Sequence, residues 1–192
     1  NPYEGERRGG TVGFPLPGVS IRIADAENRP VGVGEIGQIQ VQGDNVFRGY
    51  WRMPEKTREE FTTDGYFMTG DMGRRDPDGY ISIIGRSKDL IISGGLNVYP
   101  KEIEEMIDAL PGVFESAVFG VPHPDFGEAV AAAVVRQNNP DGALATEAGI
   151  VEALKGALAN FKVPKRVHFV DELPRNSMAK VQKNALRQRF TV

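Results

Sequence analysis

The chain contains no cysteine, so neither a disulfide framework nor a thiolate metal site can be built from it. A reducing compartment is compatible with that absence. Histidine is scarce, with only His123 and His168. The two are far apart, His123 stands in a His-Pro turn, and neither has a partner at ligand spacing, so no metal centre is expected. No apolar run approaches the roughly 20 residues that span a bilayer, and no membrane partner is expected. The opening stretch NPYEGERRGG is polar and lacks an apolar signal core. No internal repeat or low-complexity segment is visible.

What remains is ordinary for a globular protein. The 192 residues are 40% hydrophobic and 26% charged, enough apolar material for a core. The net charge of −3 is unevenly spread. From Leu158 onward eight Lys and Arg face only Asp171 and Glu172, a local balance of +6 that leaves −9 for the rest. A basic end on an acidic body suits an anionic ligand such as a phosphate, although a charge run by itself is more often a solvated helix face. Nucleic acid is not expected as a partner.

Periodicity divides the chain in two. In the first half Val19–Ala24 and Glu35–Val41 alternate apolar and polar residues, the period of half-buried strands. Pro54 begins a short helix within Met53–Phe61. Asp64–Gly65 turns into a strand at Tyr66–Thr69, and the DPDG turn at Asp76–Gly79 leads to another at Tyr80–Ile84. In the second half Asp89–Ile92 reads as a brief strand. Pro100 opens a helix whose buried stripe is Ile103, Met106, Ile107 and Leu110. Val113–Val121 and Glu128–Arg136 form a hairpin around HPDFG. Thr146 caps a helix carrying Ile150, Leu154 and Leu158. Val167–Val170 is a last strand, and Leu186 and Phe190 mark a C-terminal amphipathic helix.

The join between the halves is Gly85–Glu104, GRSKDLIISGGLNVYPKEIE. It concentrates charge, a double glycine and a proline-started helix in one short stretch. That composition suits a joint between two structural units that also faces a ligand.

Four ordered segments then carry a resemblance. They are Gly34–Gly37 through Gly49–Trp51, Tyr66–Asp71 ending in Thr-Gly-Asp, Gly85–Asp89 with Gly94, Gly95 and Pro100–Glu104, and Pro174–Lys180. Together they resemble the C-terminal part of the adenylate-forming, AMP-forming acyl-CoA synthetases. The wording NPYEGERR, GYWRMPEKT, ISGGLNVYPKEIE and GVPHPDFGE is most similar to the malonyl-CoA synthetase branch of that family.

The resemblance implies an α+β fold. Residues 1–85 would be a small β-barrel-like remnant ending the large N-terminal adenylating domain. Residues 86–192 would be the mobile C-terminal domain, an antiparallel sheet with flanking helices. The chain opens in what reads as a loop, and we expect it to be a piece of a longer chain. The family's phosphate loop, its Mg²⁺-holding motif and most of the acyl pocket would precede it.

The resemblance also implies roles. Asp71 would clamp the ribose hydroxyls of ATP, and Arg86 would contact ribose or phosphate. Lys88 would be the hinge. Gly94 and Gly95 would leave room for the pantetheine arm of CoA. Lys180 would reach the substrate carboxylate and the α-phosphate. The family usually has Gly before this lysine, and here Ala179 stands there. The intact enzyme would use ATP, Mg²⁺, CoA and a small carboxylate in the cytoplasm, with none bound tightly by this piece alone. An aryl- or fatty-acyl-CoA ligase is the nearest rival. A different class of reading is a non-catalytic interaction domain in which Lys180 is modified by a lysine acetyltransferase.

Overall fold

A computed structural model describes residues 1–191. Residue contacts divide it after Lys88, within the stretch expected to hold the joint and slightly beyond the expected boundary at residue 85.

The first unit is an antiparallel meander of β1 (Val19–Ala24), β2 (Gly37–Gly43), β3 (Phe67–Arg75) and β4 (Ile81–Arg86), paired in that order. The sheet is open and does not close into a barrel among the described residues. Helix α1 (Pro54–Glu60) links β2 to β3, with Pro54 in its first turn. Alternation sets the register: Ile21 lies opposite Val41 and Ile23 opposite Ile39. One face therefore stacks apolar pairs, and Ile23, Ile39 and Ile81 form its buried centre. The other face pairs Arg22 with Gln40. Gln40 is fully buried and its amide is satisfied. Its oxygen accepts from Arg22 Nε at 2.6 Å, and its nitrogen donates to Asn28 Oδ1 at 2.6 Å and Gln38 Oε1 at 3.1 Å. The Arg22 guanidinium also holds the Asp64 carboxyl down to about 2.

The second unit begins with β5 (Ile91–Ser93) and β6 (Leu96–Val98), joined by Gly94–Gly95. These glycines have φ of 58° and 79°, the pair of positive values that a two-residue hairpin turn requires. Next come α2 (Pro100–Asp108), the long hairpin β7 (Val113–His123) and β8 (Gly127–Arg136), α3 (Glu147–Lys155), β9 (Arg166–Phe169) and α4 (Lys183–Phe190). The sheet runs β6-β5-β8-β7, with β9 added parallel to β8. Strand β8 reads as a nearly unbroken apolar run because both its faces are covered. Val130, Ala132 and Val134 join Ile103, Ile107, Ile150 and Leu154 in one core. Ala131, Ala133 and Val135 join Phe119, Leu173 and Leu186 in the other. The expected stripe appears on α2 as Ile103 and Ile107, fully buried, and Met106 at the edge, while Leu110 packs against the same core from just past the helix end. The Thr146 hydroxyl caps α3 by accepting from the Gly149 amide at 3.1 Å.

Candidate functional site

In the first unit the structure brings Asp71 and Arg86 together. They face each other across β3 and β4, and Arg86 Nε lies 3.0 Å from Asp71 Oδ1. The local backbone explains the placement. Gly70 has φ of 74° with open space where a side chain would begin, and a bulge follows between Met72 and Gly73. Thr69 Oγ1 bridges the segment, donating to the Ile39 carbonyl at 2.8 Å and accepting the Asp71 amide at 3.1 Å. The Ser87 hydroxyl donates to the Gly70 carbonyl at 3.2 Å. The result is a half-buried carboxylate oriented by a guanidinium that remains half exposed. Lys88 follows, exposed, in a 3-10 turn over Ser87–Asp89.

In the second unit Gly94 and Gly95 form the exposed tip of the β5–β6 hairpin. The Gly94 amide donates to the Phe126 carbonyl at 2.9 Å. Beside it lies a largely apolar cavity of about 290 Å³ lined by Gly94, Leu96, Phe126, Phe161 and Lys165 among others. A side chain on Gly94 would meet Phe126 at 3.6 Å, whereas Gly95 faces open space.

Lys180 ends a separate loop. Asn176 and Lys180 close a three-residue hairpin: the Asn176 amide donates to the Lys180 carbonyl at 3.0 Å, and the Ala179 amide to the Asn176 carbonyl at 2.9 Å. The Asn176 side-chain oxygen accepts the Met178 and Lys180 amides at 3.0 and 2.9 Å. Lys180 itself is exposed, and its ammonium forms no ion pair among the described residues. Sequence reasoning passed over Asn176 as an organiser. Its signal was the Asn-Ser opening of the loop, since Asn side chains accept from backbone two residues on.

No three His, Asp or Glu side chains gather to hold a metal among the described residues. The described residues therefore do not fit a Mg²⁺ site. Among the described residues no helix is long and apolar enough to cross a membrane.

Residues 1–51 match the AMP-binding enzyme family, and residues 102–180 match the AMP-binding enzyme C-terminal domain. A sulfoacetate–CoA ligase from Cupriavidus necator is 42% identical over 184 residues, covering 95% of this chain and 35% of its own length. A malonate–CoA ligase from Arabidopsis thaliana is 42% identical over 196 residues, covering 98% and 32%. The crystal structure of ATP-bound MatB from Rhodopseudomonas palustris matches with a TM-score of 0.92 at 59% identity, over 99% of this chain and 37% of that one. The chain belongs to the AMP-binding, adenylate-forming enzymes. It spans about a third of the length of the curated relatives it matches. The comparisons bring no support for a lysine acetyltransferase as a partner.

Proposed function

We propose that this chain supplies the nucleotide clamp, hinge and adenylation lysine of a cytoplasmic ATP-dependent acyl-CoA synthetase acting on malonate or a related small diacid. In the first step a substrate carboxylate oxygen attacks the α-phosphorus of ATP. The bond to the β-phosphate oxygen breaks, and pyrophosphate leaves. In the second step the CoA sulfur, having lost its proton, attacks the acyl carbon, and AMP leaves with the electrons of the broken C–O bond. Both steps build negative charge that placed cations stabilise.

Asp71 accepts hydrogen bonds from the ribose hydroxyls, with Gly70 letting the backbone approach. Arg86, held against Asp71, directs its remaining donors to ribose or phosphate. Lys180 brings its ammonium to the carboxylate and α-phosphate oxygens. Lys88 absorbs the rotation between the two half-reactions, since such changes concentrate in a few residues. Residues beyond Lys88 move as the C-terminal domain. Gly94 and Gly95 line the thiol's path, and the neighbouring apolar cavity with Lys165 at its rim suits an arm that carries phosphate.

The observation that carries this proposal is the Lys180 hairpin: an internally hydrogen-bonded loop presenting an ammonium with no ion-pair partner among the described residues. Support for the substrate is chemical. Malonate and sulfoacetate, named for two relatives, are both two-carbon acid frameworks with a second acid group on the α-carbon. An aryl- or fatty-acyl substrate is the alternative.

In the intact enzyme Lys180→Ala should abolish pyrophosphate release yet leave thioester formation from supplied acyl-AMP largely intact. Equal loss in both steps would refute the role of Lys180. Malonate should outcompete aryl and fatty acids in the first step, and the reverse order would overturn the substrate. This chain alone should show almost no turnover.

A further inference from the structure

The Lys180 loop contains one backbone anomaly. Ala179 sits at φ 61°, the left-handed position that closes a three-residue hairpin loop and that glycine ordinarily fills. A side chain makes this conformation unfavourable. Arg175 stands against it with both arms of its guanidinium. Nη1 donates to the Ala179 carbonyl at 2.8 Å, and Nη2 is ion-paired with Glu115 on β7. Arg175 also faces Val181 across the loop. Glu115 lies on the long hairpin, whose partner strand β8 is buried on both faces, so it is a firm anchor. The carbonyl of the strained residue is thus tied through one side chain to the rigid sheet, immediately before Lys180.

We infer that Arg175 is a positioning residue for Lys180: the Glu115–Arg175–Ala179 clamp holds the loop in a strained shape that presents the ammonium. This rests on the proposal that Lys180 serves adenylation. Released from the clamp, Ala179 relaxes toward negative φ, and the peptide that carries Lys180 turns with it. Planarity explains why arginine serves here. A single lysine ammonium cannot hold a carboxylate and a carbonyl in fixed relative directions.

The test uses the intact enzyme and two rates, pyrophosphate release with malonate and thioester formation from supplied acyl-AMP. Glu115→Gln and Arg175→Lys should each slow the first about 10- to 100-fold, the scale of a misplaced catalytic group, and leave the second unchanged. Introduced into an Ala179→Gly background, the same changes should cost less than about threefold, because glycine holds the left-handed shape unaided. An equal fall in both rates, no fall in the first, or the same loss in the glycine background would each overturn the clamp. Lys180→Ala separates the two ideas. If it spares adenylation, the role of Lys180 fails and the clamp with it. If it abolishes adenylation while Glu115→Gln and Arg175→Lys do not slow it, only the clamp fails.

Discussion

One carboxylate oxygen of Glu104, on α2, lies 2.6 Å from Lys183 Nζ, on α4, and accepts the Val118 amide of β7 at 2.7 Å. Glu104 therefore satisfies an outward-facing N–H on an edge strand and pairs with a cation from a helix about eighty residues later in sequence. The two side chains are 19% and 14% exposed, so water screens the pair weakly.

Glu104→Ala should leave a mostly buried ammonium and a buried amide without partners. We expect a loss of about 2–4 kcal/mol, below the upper range for a fully buried pair. Glu104→Gln keeps an acceptor for the amide and should cost about half as much. Urea unfolding midpoints check both, and a change under about 0.5 kcal/mol for the alanine variant would refute the relationship.

Two glycines with the same backbone angle should respond differently to alanine. Gly95 has φ of 79° and Gly112 φ of 80°. A Cβ on Gly95 meets open space, whereas on Gly112 it falls 2.3 Å from the Asp141 carbonyl oxygen. Gly95→Ala should cost about 1 kcal/mol, the left-handed penalty alone. Gly112→Ala adds a backbone clash and should cost about 3 kcal/mol or more. Paired unfolding curves measure the gap, and equal losses would contradict the packing at Gly112.

Burial holds the His168 imidazole below its ordinary value, with Arg166 and Arg189 pushing the same way and Glu147 opposing them. The ring stacks on Phe190 of α4 at 4.0 Å and 11°. Because the folded state favours the neutral ring, its stability contribution is complete above the unfolded value of about 6.5. That contribution falls as acid moves through that value toward the lower folded one, then levels off. Unfolding midpoints from pH 8 to 5 should decline across this window, and His168→Gln should flatten that part of the decline. Unchanged slope in the variant would count against His168.

In the intact enzyme Asp71→Asn should raise the KM for ATP at least about tenfold, with little change in the unfolding midpoint, if the carboxylate serves the nucleotide rather than the sheet. A large stability loss with normal KM would assign Asp71 a structural task instead. Because Arg86 remains as a half-exposed cation, its release from Asp71 should not unfold β4.

Much of this fold was legible in residue patterns. The alternation of VSIRIA appears as β1, the HPDFG turn joins β7 to β8, and Pro100 and Thr146 begin their helices where expected. Other elements escaped because local rules competed. The expected strand at Tyr66–Thr69 runs on to Arg75: Gly70 at positive φ and a bulge carry β3 through a polar Thr-Gly-Asp that breaks alternation. The strand expected from Asp89 begins at Ile91, after a 3-10 turn, and pairs with β6, which is too short to show a period. Glu35 stays outside β2 because its carboxylate accepts the Gly32 amide in a turn.

For the site, it was the resemblance of four ordered motifs to a known family that pointed to Asp71, Arg86, Lys88, Gly94, Gly95 and Lys180 as candidates, since residue type and order are local properties of the chain. Packing alone disclosed that Arg86 lies on Asp71, that Arg175 reaches Glu115, and that Glu104 meets Lys183. Each of these contacts joins residues distant in sequence. Each depends on strand register or helix docking, which no local pattern encodes and only the folded core specifies.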